Sequence, residues 1–214
     1  MTDYDKILRS DGQVSMDGST NAVTYDAWAT DYDRELAGWG YEAPTRAAAF
    51  LARYLEDKTA ARVLDCGCGT GMTGVALREA GFDGPLVGFD MSQASLDVAR
   101  EKSIYADLQP VDLNGLLPLE ADSIDGILCV GVLTYVDQGP LLREWMRVLR
   151  PGGVAVFTCR QDFWDSRDFE TSLGSLEAEG SLRRLEVTGP MPYLPGNPEF
   201  GTKIQIRYGI VGAA

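Results

Sequence analysis

From Arg62 onward, short apolar runs alternate with helical stretches, and glycine or proline marks most of the junctions. RVLDC reads as a strand. A glycine loop follows it, then a helix, MTGVALREA, closed by Gly81. PLVGFD is a second strand and MSQASLDVAREK a second helix, with Ser92 in the N-cap position. YADLQPVDL holds a short third strand and SIDGILCV a fourth. The helix GPLLREWMRVLR stops at Pro151 and Gly152, and GVAVFTC is a fifth strand. Such alternation predicts a parallel sheet with helices on both faces. It ends after a helix near DFETSLGSLEAEG, where LRRLEVTG and TKIQIRYGI are both strand-like. Only PMPYLPGNPEFG separates them, and its prolines and glycines predict a loop. Two strands with no crossover helix between them pair antiparallel. The expected fold is therefore a doubly wound, mostly parallel, seven-stranded α/β sheet ending in an antiparallel hairpin.

The segment before Arg62 differs. Residues 1–20 are polar and read as a mobile tail. NAVTYDAWATDYDREL then sets Tyr25, Trp28, Tyr32 and Leu36 at helical spacing, broken by Gly38 and Gly40. Pro44 opens a second helix through TRAAAFLARYLED. The expected division is a tail over 1–20, a helical cap or lid over 21–60 and a core over 61–214, in one domain. The chain has 214 residues, enough for one sizeable core.

Composition removes several functions. With no histidine in the chain, neither a His-dependent triad nor a His metal ligand is available. Of the four cysteines only Cys66 and Cys68 are close, and one residue between them does not make a zinc pair. We expect reduced thiols and no metal. A net charge of −13 without a basic tract argues against a nucleic-acid or anionic-membrane partner. No apolar run approaches the ~20 residues of a membrane helix, and the N-terminus lacks a signal-peptide core, so a cytoplasmic protein is expected.

The glycine loop carries the chemistry. VLDCGCGTGMTG runs from Val63 to Gly74 and supports two readings. Gly69, Gly71 and Gly74 match G-x-G-x-x-G, and Asp90 follows about twenty residues on, as in a dinucleotide site. Gly67, Gly69 and Gly71 also match G-x-G-x-G, a loop that lets backbone approach a ligand without phosphate. Asp65, directly before the glycines, would repel a pyrophosphate but suits a ligand with an ammonium group. A Tyr54-x-x-x-Lys58 pair of the short-chain dehydrogenase type precedes the loop, whereas in that family it follows far downstream. An NAD-dependent oxidoreductase stays open on these residues.

The stretch from Val63 to Thr158 resembles the class I S-adenosylmethionine-dependent methyltransferases. VLDCGCGTG is similar to their first motif and VGFDMS to their ribose-binding strand end. DLNGLLPLEADSIDGILCVGVL resembles the adenine segment with the fourth strand, and MRVLRPGGVAVFT the helix, turn and fifth strand after it. YDAWATDYD before the core, together with SIYADLQPVDL, is similar to the Williams–Beuren-region methyltransferase-like proteins. The resemblance implies a Rossmann-like fold and S-adenosylmethionine as cofactor, with S-adenosylhomocysteine as product.

It also implies roles for individual residues. Asp65 serves the amino-acid end, the backbone of Gly67 and Gly69 lies against the ligand, and Asp90 takes the ribose hydroxyls. Met91 covers an adenine face, Asp112 accepts from the adenine amino group and the Leu113 N–H faces a ring nitrogen. Cys129 and Val130 end the fourth strand near the methyl-bearing sulfur. Tyr25 and Tyr32 belong to a lid over the cofactor. Many relatives carry histidine where this chain has Thr134 and Tyr135, so a base for the acceptor falls to weak candidates, Tyr32 and Tyr135. The expected activity is methyl transfer to a small, partly apolar acceptor near Trp28, Tyr32, Tyr135 and Tyr193. A cofactor-binding protein without catalysis is the second expectation.

Overall fold

A computed structural model describes residues 33–198, 201 and 203–214. The expected tail, and Tyr25, Trp28 and Tyr32, lie outside these residues. The elements in chain order are α1 (Ala43–Leu51), β1 (Val63–Cys66), α2 (Met72–Glu79), β2 (Leu86–Asp90), α3 (Gln93–Glu101), β3 (Asp107–Pro110) and β4 (Ile124–Cys129). Then come α4 (Gln138–Val148), β5 (Leu149–Arg160), α5 (Gln161–Ser166), α6 (Phe169–Ala178), β6 (Leu182–Val187), β7 (Met191–Pro192) and β8 (Gln205–Ala213).

The strands form one sheet in the order β3-β2-β1-β4-β5-β8-β6, with β7 paired to β8. The first five strands are mutually parallel. β8 inserts between β5 and β6 and runs antiparallel to both, as the missing crossover helix requires. The hairpin loop is not loop throughout. Met191 and Pro192 add a two-residue strand opposite Ile206 and Gln205, which makes eight strands where seven were expected.

Strands buried on both faces need apolar side chains in both directions. In β1, Leu64 and Cys66 enter a cluster with Phe89, Trp145, Phe157 and Leu173, covered by α4 and α6. Val63 enters the opposite cluster with Ala47, Leu51, Leu77 and Val156, covered by α1 and α2. α1 starts at the proline, as expected, but ends at Leu51, earlier than the apolar pattern suggested. Ser92 caps α3 by accepting from the Ser95 N–H at 3.0 Å. Gly81, at φ +86°, turns the chain out of α2.

The chain before α1 packs into this body. Leu36 is 1% exposed and clusters with Leu194 and Ile204, with Trp39 and Tyr41 against them. The Gly196 N–H donates to the Trp39 carbonyl at 2.8 Å. Leu36→Ala is expected to cost about 2–5 kcal/mol of stability, the range for a buried leucine. Urea unfolding checks this, and a loss under ~0.5 kcal/mol would mean the segment is not part of the core. Among the described residues, no helix is long and apolar enough to cross a membrane.

Candidate cofactor and acceptor site

The glycine loop leaves β1 at the carboxyl edge of the sheet, where open α/β folds bind ligands. The loop is tied to the neighbouring strand. The N–H groups of Gly67 and Cys68 both donate to the Phe89 carbonyl, at 2.8 and 2.9 Å. Gly67, Gly69 and Gly71 have φ of +82°, +51° and +94°, which favours glycine at each. A Cβ on Gly67 would collide with Val132, so the loop abuts the stretch after β4. A Cβ on Gly69 would meet nothing within 4 Å, so the loop keeps open space beside its middle glycine.

Asp90 ends β2 at the edge of that space and is half-buried. Its Oδ2 accepts the Gly69 N–H at 2.8 Å and its Oδ1 the Ser92 N–H at 2.9 Å. The carboxylate is therefore oriented by the loop at the edge of that space. Met91, next to it, is half-buried. The Val111 N–H donates to the Asp90 carbonyl at 3.0 Å, which brings Asp112 and Leu113 to the same edge. Asp112 is exposed, and its Oδ1 accepts from the N–H and the amide of Asn114 at 2.9 and 3.0 Å. Leu113 is buried.

Asp65 is fully buried one residue before the end of β1. The Tyr105 hydroxyl donates to its Oδ2 at 2.6 Å, and its Oδ1 has no hydrogen-bond partner. Burial pushes this carboxyl up to about 7, and the Asp90 charge adds to the rise while the Tyr105 hydroxyl opposes it. Tyr105 was missing from the sequence reading. Its ring occupies space that three glycines leave: a Cβ on Gly71 would lie 3.2 Å from it, one on Gly88 2.9 Å, and one on Gly74 would strike its hydroxyl. Gly74, the last glycine of the dinucleotide-type pattern, is thus needed for packing against Tyr105.

The loop is also held from outside. Asp33 accepts from the Thr70 hydroxyl and, at 2.6 Å, from Lys102 Nζ. Lys102 Nζ also donates to the Thr70 carbonyl. These three residues were not foreseen either.

Cys129 and Val130 stand at the end of β4. The Cys129 side chain is buried in the core with Cys66 and Cys159, and Val130 faces the opposite cluster. The Gly131 N–H donates to Thr158 Oγ1 at 2.8 Å. The Tyr41 and Tyr193 hydroxyls both lie against Gly131 and are 3.5 Å apart. Tyr135 is half-buried in the next turn, which Arg167 braces through the carbonyls of Leu133, Thr134 and Val136. Tyr54 and Lys58 lie away from the site: Lys58 Nζ reaches the Ala80 carbonyl at 3.4 Å, beyond the end of α2.

All four cysteines are free and buried. Burial raises the Cys68 and Cys129 thiols well above the usual range and Cys159 to about 12. Among the described residues, no group of three or more His, Cys, Asp or Glu side chains could hold a metal ion. Elemental analysis of the purified protein is expected to find no stoichiometric zinc, and one zinc per chain would contradict this.

Residues 64–157 match the family model described as "Methyltransferase domain". The chain is 33% identical over 168 residues to human methyltransferase-like protein 27, covering 77% of this chain and 65% of that protein. It is 33% identical over 102 residues to the ubiquinone biosynthesis O-methyltransferase of Hahella chejuensis, covering 45% of this chain and 42% of that protein. The chain thus spans between 42% and 65% of the length of these curated relatives. A TehB-like SAM-dependent methyltransferase from Corynebacterium glutamicum shares the fold at TM-score 0.64 and 21% identity, over 88% of this chain and 99% of that one. These matches make the chain similar to methyltransferases over the stretch that holds the parallel strands and the glycine loop beside Asp90.

Proposed function

We propose that the chain binds S-adenosylmethionine at the glycine loop and transfers its methyl group to a small molecule. The observation that carries this is the Asp90 carboxylate, held by the Gly69 and Ser92 N–H groups beside the open space at Gly69. The unpartnered Asp65 Oδ1 fits an ammonium-bearing ligand and does not fit a pyrophosphate. When bound, the cofactor supplies a sulfonium-activated methyl group, which leaves behind a neutral thioether.

The protein's own work is to bind and align. Asp90 takes the ribose hydroxyls, and Gly67 and Gly69 allow backbone to approach the amino-acid end. Asp65 serves the ammonium group, Met91 covers an adenine face, and Asp112 and the Leu113 N–H read the adenine edge. The ends of β4 and β5 hold the acceptor. The acceptor is a small molecule rather than a nucleic acid, given the net charge of −13. Four reduced, buried thiols suit the cytoplasm.

Calorimetric titration with S-adenosylhomocysteine and with NAD tests the cofactor. We expect the first to bind and the second not, and the reverse result would overturn the reading. A screen for labelled-methyl transfer over metabolite fractions then separates an enzyme from a binding protein without catalysis.

A further inference from the structure

The carboxyl end of β5 carries a buried cation that the protein only partly satisfies. Arg160 closes the strand with its side chain 11% exposed. Its Nε and Nη2 donate to the two carboxylate oxygens of Asp162 at 3.0 and 2.6 Å. Its guanidinium lies 5.0 Å from the centre of the Phe163 ring. Its Nη1 is buried and has no hydrogen-bond partner. Buried donors are rarely left this way, and each such case asks for an explanation.

Position suggests what satisfies it. Side chains alternate along β5, so Thr158 and Arg160 leave the sheet on the face of Val154 and Val156, the face that α1 covers. Thr158 accepts the Gly131 N–H, and the Tyr41 and Tyr193 hydroxyls lie against Gly131. Arg160 stands opposite Ile206 in β8, and Ile206 stands opposite Met191, two residues from Tyr193. The Arg160 charge acts on the Tyr193 phenol. One free guanidinium nitrogen and two phenols thus gather at the ends of β4 and β5, beside Val130.

We propose that Arg160, Tyr41 and Tyr193 form the acceptor subsite, and that it selects a molecule carrying a carbonyl or carboxylate oxygen. This rests on the methyltransferase reading above. Arg160 Nη1 can only donate, so the atom that completes it must offer a lone pair. Asp162 already offsets the guanidinium charge, so the subsite asks for a lone pair more than for net negative charge. Carbonyl and carboxylate oxygens both supply one, and a cationic amine does not.

The test uses protein saturated with S-adenosylhomocysteine and four probes titrated by NMR: acetophenone, benzoate, ethylbenzene and benzylamine. Acetophenone, benzoate or both are expected to bind about tenfold tighter than the other two, the difference one hydrogen bond to a charged donor makes. Binding of acetophenone assigns a carbonyl, and binding of benzoate alone assigns a carboxylate. Arg160→Met should erase the advantage, while Arg160→Lys keeps part of it and Tyr193→Phe lowers it. S-adenosylhomocysteine affinity should stay within about twofold in all three variants, which also reports folding. Oxygen-bearing probes that bind no better than ethylbenzene would overturn the proposal. So would an Arg160→Met variant that binds them as the parent does. If Arg160→Met does not fold, the same comparison in Arg160→Lys and Tyr193→Phe decides. Failure of the parent protein to bind S-adenosylhomocysteine would instead strike the methyltransferase reading itself.

Discussion

Affinity for S-adenosylhomocysteine is expected to fall about tenfold for each pH unit below about 7, and Asp65→Asn should abolish that dependence. Asp65 is fully enclosed, and its carboxyl is raised from an ordinary value of 3.8 to about 7. In the free protein it is protonated below that pH. A ligand ammonium favours the ionised form, so binding below pH 7 must first release a proton, at 1.36 kcal/mol per unit. Above pH 7 the proton is already gone and affinity levels off. The same linkage sets the sign for stability. A carboxyl raised in the fold favours the folded protein while protonated, so this group's contribution declines as pH rises from about 4 to 7 and is gone above. Tyr105→Phe removes the hydroxyl that holds the carboxylate ionised, so the break in affinity should move to higher pH. Three titration series between pH 5.5 and 8 check this. A flat profile for the parent protein would remove Asp65 from the ligand's ammonium.

Much of the fold was legible because its strands obey simple burial rules. β1, β2, β4 and the latter half of β5 are apolar runs bounded by glycine, proline or aspartate, and both of their faces are covered. Asp90 was legible too, because a strand end about twenty residues beyond a glycine loop leaves few roles for a carboxylate. Tyr105 was not. Its bond to Asp65 spans 40 residues, and it needs the pairing of β1 with β2 that sets Gly88, against which the Tyr105 ring packs, opposite Asp65. The last glycine of the loop pattern, matched in sequence to a dinucleotide-type fingerprint, here admits an aromatic ring. α5 was missed for a local reason. Gln161 follows Arg160 of β5 directly, with no glycine or proline to mark the change. The Asp33 contacts to Thr70 and Lys102 bridge 37 and 69 residues, and no spacing rule reaches that far.

The second large effect is expected at Asp90. Asp90→Ala should weaken S-adenosylhomocysteine binding about a hundredfold or more. Two charge-assisted bonds to the ribose are lost, each worth ~1.5–3 kcal/mol, and the lower end for both already gives ~3 kcal/mol. The structure adds a reason for a larger loss than ligand contacts alone would give. Asp90 also receives the Gly69 and Ser92 N–H groups, so its removal frees the middle of the glycine loop and the start of α3. Asp90→Asn separates the two contributions. Its amide oxygen can keep one backbone bond, while the charge that strengthens the ribose bonds is gone. Asn should therefore fall between the parent and Ala. Equal losses in Asn and Ala would mean that charge dominates, and a loss only in Ala would mean that loop order dominates. Unchanged affinity in a folded Asp90→Ala variant, judged by its unfolding midpoint, would remove Asp90 from the cofactor site. It would also remove the observation on which the proposed function stands.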